Sequence, residues 1–213
     1  MTDRLNKIYN LLPTCNTFAD IGCDHGYITK AMLYGKKCER AIIADVSEKC
    51  LDKARQLLSD FIACGKVEAV VSNGFEKVNE CDLALIAGLG GEEIVSILKN
   101  AKNLPKNLVL QPMKNCDKVR VFVVENGYKI VKDLVFKSAN KFYDLIVLTK
   151  GKDSLTDEEI EFGRDNLLKP TTDFKQMIAS KIEKINGYLQ GENLSKTVKE
   201  EMQESIKKLG KYV

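Results

Sequence analysis

Two acidic residues, two glycines and the only histidine of the chain lie within seven positions near its N-terminus. The apolar residues before this stretch have the pattern of a strand, and those after it have helical spacing. The stretch is therefore predicted to be a turn between a strand and a helix, where open α/β sheets bind ligands. Its residues are Asp20, Gly22, Asp24, His25 and Gly26.

The charge of this turn indicates the kind of ligand. Glycine has no Cβ, so Gly22 and Gly26 let the backbone approach a bound molecule closely. Carboxylates repel a pyrophosphate, so Asp20 and Asp24 favour a cationic or hydroxyl-rich small molecule. S-adenosylmethionine has a sulfonium, an amino group and a ribose, and it fits this requirement. A nicotinamide-dependent oxidoreductase is disfavoured, because Asp24 stands where its loop needs a third glycine.

Further cofactor candidates follow the second and third predicted strands. Asp45 ends the second strand, where an acid accepts hydrogen bonds from the two ribose hydroxyls. Its alternative role is to provide polarity ahead of the helix that Ser47 caps. Asn73 and Gly74 follow the third strand, where they could contact the cofactor adenine or simply form a turn.

A glycine-rich segment follows the fourth predicted strand, beside the position expected for the acceptor. Small residues would let a flat substrate approach the backbone, although tight packing between a strand and a helix also favours glycine. We assign Ala87 and Gly88 to the cofactor and Gly90 and Gly91 to the substrate.

Polar and aromatic residues near the same sheet edge are candidates for handling the substrate. His25 could stack on a base or hold a proton, and Tyr27 could stack or donate its hydroxyl. Gln111 can offer both a donor and an acceptor to a base edge. These three are the catalytic candidates. Pro112 either borders the site or ends a strand, and Tyr143 is a second stacking candidate.

Near-continuous apolar strands alternate with helices over the first two thirds of the chain. This pattern predicts an α/β fold with a parallel sheet covered on both faces. The last two strands are predicted to form an antiparallel hairpin, which is typical of the class I methyltransferase variant of the Rossmann-like fold. The predicted strands are 17–21, 39–45, 66–71, 82–86, 107–110, 128–137 and 141–149, and the helices among them are 3–12, 48–63, 92–101 and 115–125.

The pattern becomes purely helical after residue 151, so we divide the chain into domains 1–151 and 152–213. Helices are predicted over 156–168, 173–189 and 194–209. Apolar residues at three- and four-residue spacing predict that the last two pack as an antiparallel hairpin or coiled coil across a turn at 190–193.

Composition narrows the partners and the location. The net charge is +3, and residues 152–213 hold 11 Lys or Arg and 12 Asp or Glu, so the positive excess lies in the first domain. This excess permits an RNA partner. The candidate phosphate contacts are Arg4, Lys7, Lys30, Lys36, Lys37 and Lys114.

The remaining composition favours a cytoplasmic protein without a membrane partner. No apolar run approaches the ~20 residues of a membrane span, and the N-terminus lacks the apolar core of a signal peptide. The seven cysteines form no C-x-x-C pair, and one histidine leaves little for a metal site. We therefore expect no metal and mostly buried, reduced thiols, with a packing role for Cys23.

Together these motifs resemble the bacterial tRNA (adenine(22)-N1)-methyltransferases, the TrmK-like family. The matching segments are Ala19–Tyr27, Ala87–Gly91 and Leu110–Pro112. The order of elements and the C-terminal helices match as well, so the likeness covers essentially the whole chain. The family's Gly-Asp-Gly-Leu after the third strand is replaced here by Ser72–Phe75.

The resemblance implies an enzyme that binds S-adenosylmethionine in its first domain and methylates N1 of adenine in tRNA. By the same resemblance, the C-terminal hairpin helps to hold tRNA, although it could instead mediate dimerisation. We expect a monomer or a weak dimer. Two other functions stay open: methylation of a small molecule or protein, and a non-catalytic RNA-binding module of the same fold.

Overall fold

The computed structural model describes residues 1–191 and 194–213. One sheet of seven strands forms its centre. The strands are β1 (Thr17–Ile21), β2 (Arg40–Asp45), β3 (Val67–Val71), β4 (Leu83–Leu89), β5 (Asn107–Pro112), β6 (Tyr128–Ser138) and β7 (Lys141–Lys150). The helices are α1 (Asp3–Leu11), α2 (Tyr27–Tyr34), α3 (Glu48–Leu57), α4 (Ser59–Ala63), α5 (Gly91–Lys99), α6 (Cys116–Glu125), α7 (Asp157–Phe162), α8 (Arg164–Leu168), α9 (Thr172–Leu189) and α10 (Lys196–Leu209).

The strand order is β3-β2-β1-β4-β5-β7-β6. The first five strands pair in parallel, whereas β7 pairs antiparallel with both β5 and β6. A parallel sheet that ends in an antiparallel hairpin confirms the predicted fold class.

Both faces of the sheet are buried, which explains why its strands are almost continuously apolar. Successive residues of a strand point to opposite faces. Phe18 accordingly joins the core cluster beneath α1, α2 and α3, and Ala19 joins the cluster beneath α5 and α6. Asp20 and Gln111 follow Phe18 and Val109 by two positions, so both lie on the face covered by α1 and α2.

Several predicted elements differ from the structure in their bounds, and three of the differences have a clear physical reason. The predicted helix 48–63 divides at Leu58, which is fully buried between α3 and α4. The predicted helix 156–168 divides at Gly163, whose φ is +83°. Strand β5 continues through Gln111 and Pro112, because both residues pair with the end of β4.

The C-terminal helices form the predicted antiparallel hairpin. Phe174 at the start of α9 and Tyr212 after α10 have ring centroids 6.2 Å apart, so the two helices run in opposite directions. Phe162, Phe174, Ile178 and Leu209 form a small core of their own. Glu192 and Asn193 of the predicted turn lie outside the described residues.

Residues after β7 cover the free edge of β6. An edge strand exposes unpaired N–H groups, which favour pairing with other chains. Four side chains from the following segment accept these N–H groups: Asp153 from Ile130, Asp165 from Asp133, Asn166 from Val135 and Asp173 from Lys137, at 2.9–3.0 Å. The predicted domain division at residue 151 therefore separates the sheet from the side chains that accept the N–H groups of its edge strand β6.

Candidate active site

The turn between β1 and α2 has an unusual backbone. Gly22, Asp24 and Gly26 have φ values of +72°, +47° and +71°. Among the described residues, a Cβ on Gly22 would meet only Leu89 Cδ1, at 3.8 Å, so the space beside Gly22 is open. A Cβ on Gly26 would lie 3.2 Å from Ala54 Cβ, so this glycine lets α2 pack on α3. The two glycines thus differ in their surroundings: Gly22 borders open space and Gly26 allows close packing.

Asp20 is a buried carboxylate at the end of β1, with 6% of its surface exposed. Its Oδ2 accepts a hydrogen bond of 2.7 Å from the hydroxyl of Thr29. Burial raises the pKa of Asp20 to about 7, and the charge of Asp45 adds to this rise, while hydrogen bonds from Thr29 oppose it. A cation bound beside Asp20 would stabilise its charged form.

Thr29 was not predicted as part of the site. It is fully buried on α2, between the apolar residues Ile28 and Met32. A hydroxyl on the apolar face of a helix needs a hydrogen-bond partner. That pattern in the sequence could have pointed to a buried acceptor such as Asp20.

Asp45 organises both the turn and the start of α3. Its Oδ2 accepts the N–H of Asp24 at 3.3 Å, and its Oδ1 accepts the N–H of Ser47 at 2.9 Å. A carboxylate has about four acceptor positions, so roughly two remain for ribose hydroxyls. The alternative role of Asp45 in helix polarity is therefore compatible with the predicted ribose contact.

The turn after β3 has a structural explanation of its own. Asn73 donates from Nδ2 to Glu76 Oε1 at 2.9 Å. Gly74 has a φ of +59°, and a Cβ there would lie 2.6 Å from Ile97 Cγ2. The alternative of a plain turn accounts for both residues. The adenine contact of Asn73 and Gly74 stays a prediction.

The glycines after β4 differ in what surrounds them. Gly91 is buried, and a Cβ there would lie 2.3 Å from Asn115 O, so the packing of α5 against the turn before α6 accounts for this glycine. Gly90 borders the flexible side chain of Lys114. Gly88 is exposed with a φ of +85°, and a Cβ there would lie 3.4 Å from Arg4 Nη1. Gly88 rather than Gly91 is therefore accessible at the carboxyl end of β4.

His25 and Tyr27 form a stacked pair beside the turn. Their ring centroids are 5.5 Å apart at an interplanar angle of 22°. His25 Nε2 lies 3.7 Å from Asp24 Oδ1. Tyr27 begins α2 and is 45% exposed, so it is accessible to a ligand. The catalytic roles of His25 and Tyr27 stay predictions.

Three residues predicted to handle the substrate meet over the ends of β4 and β5. Gln111 is fully buried, and its Oε1 accepts a hydrogen bond of 2.6 Å from Arg4 Nη1. The Arg4 guanidinium carbon lies 5.8 Å from the centroid of the Tyr143 ring. Arg4 therefore lies at the candidate acceptor site, where its guanidinium contacts the side chains of Gln111 and Tyr143.

Two of the other candidate phosphate contacts anchor α1. Lys7 donates to Lys137 O and lies 3.4 Å from Asp3. Lys37 donates to the carbonyls of Tyr9 and Leu12 at 2.8 and 2.9 Å, and burial lowers its pKa. These contacts hold the helix that carries Arg4 against the sheet. The exposed candidates are Lys36 and Lys114, and Lys30 is half-buried.

The other groups with reactive potential have ordinary structural roles. All seven cysteines are free thiols, and burial raises the pKa of Cys23, which keeps it protonated and supports a packing role. Over the described ranges, no three His, Cys, Asp or Glu residues form a group that could hold a metal. Within the same ranges no helix has both the length and the apolar character needed to span a membrane.

Comparison with known proteins identifies the family. The family described as "Methyltransferase domain" matches residues 1–146, more than half of the chain. The chain belongs to this methyltransferase family. The turn at Gly22, the acid at Asp45 and the β5-β7-β6 arrangement lie within or next to the matched residues.

Relatives of this methyltransferase extend the likeness beyond the matched residues. A Mycoplasma pneumoniae protein named "Putative tRNA methyltransferase" is 31% identical over 76% of this chain and 79% of its own. The tRNA (adenine(22)-N(1))-methyltransferase of Bacillus subtilis is 23% identical over 80% of this chain and 74% of its own. The solved structure of M. capricolum TrmK with S-adenosylhomocysteine is 27% identical, covers 100% of this chain and 97% of that one, and has a TM-score of 0.87. The resemblance to the TrmK-like family is confirmed.

Proposed function

We propose that this methyltransferase transfers the methyl group of S-adenosylmethionine to N1 of adenine 22 in tRNA. The observation that carries the proposal is the buried Asp20 carboxylate beside the open space at Gly22. The reaction named for the B. subtilis relative and the ligand of M. capricolum TrmK support the choice of substrate and cofactor. The presence of tRNA in the cytoplasm makes that the expected location.

The residues of the turn fit S-adenosylmethionine. When bound, this cofactor supplies an electrophilic methyl group. The carboxylate of Asp20 offers a charge to its cationic groups, and hydrogen bonds from Thr29 keep that carboxylate in place. Asp45 keeps acceptor positions for the ribose hydroxyls, and Gly22 leaves the adjoining space free.

The acceptor side requires alignment more than acid–base chemistry. Adenine N1 has an in-plane lone pair at neutral pH, so no residue has to remove a proton before attack. Positioning the base at the ends of β4 and β5 is therefore the main contribution of the protein. N1 lies on the Watson–Crick edge, so a paired target base has to be exposed or flipped out first. Stacking on Tyr143 or Tyr27 would offset about 1–3 kcal/mol of that cost.

The C-terminal hairpin offers a surface for the body of the tRNA. Residues 171–213 hold 8 Lys and 6 Asp or Glu, whereas residues 152–170 hold 3 Lys or Arg and 6 Asp or Glu. The acidic part covers β6, so the hairpin beyond it is the more basic part. Lys181 and Lys184 of α9 are exposed beside Lys208 of α10. We expect these lysines to contact phosphates while the protein acts as a monomer or a weak dimer.

Transfer from labelled S-adenosylmethionine to total tRNA, followed by nucleoside analysis, tests the proposed reaction. We expect 1-methyladenosine, and we expect it in a transcript with adenine at position 22 but not in the same transcript with guanine there. Cofactor binding without any transfer to tRNA would contradict the proposal. Label in protein or in small molecules instead would favour the other methyltransferase function.

Charge reversal tests the hairpin more cleanly than deletion, because deletion of 152–213 would uncover the N–H groups of β6. For the double variant Lys181→Glu and Lys184→Glu we expect about tenfold weaker tRNA binding at low salt and a shallower salt dependence. The control is Lys102→Glu, an exposed lysine in the loop between α5 and β5. Equal binding by the two variants would remove the hairpin from the tRNA interface, and a change in dimerisation alone would support the dimer role.

A further inference from the structure

The orientation of the Gln111 side-chain amide is fixed at both ends. The guanidinium of Arg4 can only donate, so the Gln111 atom 2.6 Å from it must be the oxygen. The nitrogen of the same amide donates to Pro112 O at 3.0 Å and lies 3.6 Å from Met113 Sδ. Gln111 therefore directs an acceptor, and not a donor, toward α1.

This acceptor lies where a substrate base is expected. Gln111 pairs with Ala87 at the end of β4, next to the exposed Gly88. It shares a face of the sheet with Asp20, because both follow residues of the core cluster beneath α1 and α2 by two positions. The amide oxygen is thus on the cofactor side of the sheet, beyond β4.

The guanidinium of Arg4 makes the contacts that an adenine could make. It is planar, it donates an N–H to Gln111 Oε1, and it lies over the ring of Tyr143. An adenine has a planar ring for stacking and a 6-amino group that donates. A guanine has an acceptor at position 6, which would face the oxygen of Gln111 and leave both acceptors unpaired.

We propose that Gln111 Oε1 accepts the exocyclic amine of the target adenine, and that Arg4 occupies this position until the base displaces it. The proposal rests on the proposed function and adds the basis of base selection to it. The exchange keeps Gln111 hydrogen-bonded before and after substrate binding. Arg4 is a positioning residue in this account, and Gln111 reads the base.

Substitution of Gln111 tests the contact to the amine. The substrates are two tRNAs, one with adenine at the target position and one with purine, which keeps N1 but lacks the 6-amino group. For the wild type we expect kcat/KM to be about 10- to 100-fold lower with purine. For Gln111→Met we expect the two substrates to differ by less than about threefold. Equal discrimination by the wild type and the variant would overturn the inference.

Removal of the Arg4 guanidinium tests its displacement. Arg4→Met leaves Gln111 Oε1 without its partner in the free protein, so the substrate base no longer competes and we expect KM for tRNA to fall about three- to tenfold. The matched control, Lys102→Met, should leave KM unchanged. A KM that is unchanged or raised in Arg4→Met, above all with a salt slope reduced by about one, would overturn displacement and make Arg4 a phosphate contact.

The outcomes separate the inference from the proposed function. If the wild type transfers no methyl group to tRNA, the proposed function fails. If it methylates tRNA but treats adenine and purine alike, the proposed function stands and the reading of the base by Gln111 fails. Should Arg4→Met not fold, the comparison of adenine and purine substrates in Gln111→Met still tests whether Gln111 contacts the exocyclic amine.

Discussion

Two carboxylates buried in this protein have opposite surroundings. Asp133 on β6 is fully buried and receives two hydrogen bonds, of 2.8 and 2.9 Å, from the guanidinium of Arg120. Asp20 on β1 is nearly as buried, but the neutral side chain of Thr29 is its partner. A carboxylate paired with a cation inside the protein holds elements together, whereas one paired only with a hydroxyl is poised for an external cation.

The groups around Asp133 join several elements of the fold. Arg120 also donates to Asp144 Oδ1 at 2.8 Å and to the carbonyl of Ile160 at 3.1 Å, so it links α6, β6, β7 and α7. A Cβ on Gly163 would lie 2.7 Å from Asp133 Oδ1, so only glycine lets the chain pass so close. The edge of the sheet is thus held by ion pairs within the chain, whereas the Asp20 carboxylate at β1 has the neutral side chain of Thr29 as its partner.

Removal of the guanidinium at Arg120 should have the largest effect. Arg120→Met leaves Asp133 buried without its cation, and we expect the free energy of unfolding to fall by about 3–5 kcal/mol. Urea denaturation monitored by circular dichroism measures it. The control is Arg55→Met, which breaks the ion pairs with Glu48 and Asp52 on the surface and should cost less than about 1 kcal/mol. Similar losses of stability in the two variants would mean that the buried ion pair of Asp133 contributes no more than a surface ion pair, and the contrast with Asp20 would fail.

Substitution of Asp20 should act in the opposite direction on stability. Asp20→Asn removes a charge that burial disfavours, so we expect a higher Tm at pH 8 than in the wild type. We also expect about 10- to 100-fold weaker binding of S-adenosylmethionine by calorimetric titration, because a charge-assisted contact is lost. Unchanged affinity would remove Asp20 from the cofactor site, and a lower Tm would show that its charge stabilises the fold.

The two carboxylates also show which features of the protein could be predicted from its sequence. Asp20 was predicted as functional because it lies with two glycines in a turn between a strand and a helix, and because its charge suits a cationic ligand. The sheet was predicted because near-continuous apolar strands that alternate with helices leave a local signal. Arg120 and Asp133 left no such signal, because each looks like a surface residue until the fold brings them together.

The contacts of basic side chains were harder to predict from the sequence than those of acidic ones. Arg4, Lys7 and Lys37 were predicted to face RNA phosphates, yet each has partners within the chain. Arg4 and Gln111 are 107 positions apart, and spacing along a chain does not reveal which distant groups meet. The sequence left packing open as an alternative for Gly91 but could not identify its partner, because the carbonyl of Asn115 that it contacts comes from another loop.

The pH dependence of cofactor binding gives a finer test of the contrast. The pKa of Asp20 in the folded protein is about 7, above its ordinary value of 3.8, so protonation favours the folded state. Its stabilising contribution is complete below about pH 4 and is lost as the pH rises through 7. A cationic ligand needs the carboxylate, so we expect its affinity to fall by up to about tenfold from pH 8 to pH 6.

Calorimetric titration at both pH values measures this change, and Asp20→Asn is the control. The variant should lose that part of the pH dependence which comes from the carboxylate and keep any part that comes from the amino group of the ligand. A wild type and variant with parallel pH profiles would mean that Asp20 does not titrate on binding.

Tyr27 should give the smallest effect and separates cofactor binding from transfer. Its ring stacks on His25 but is 45% exposed, so its stacking on a base should be worth less than that of an enclosed ring. For Tyr27→Ala we expect unchanged affinity for S-adenosylmethionine and about three- to fivefold slower methyl transfer. The matched control is Tyr34→Ala at the other end of α2, which is 65% exposed and makes an edge contact with Phe61. A loss of cofactor affinity in Tyr27→Ala alone would assign Tyr27 to the cofactor with Asp20, and equal rates in both variants would leave it no part in transfer.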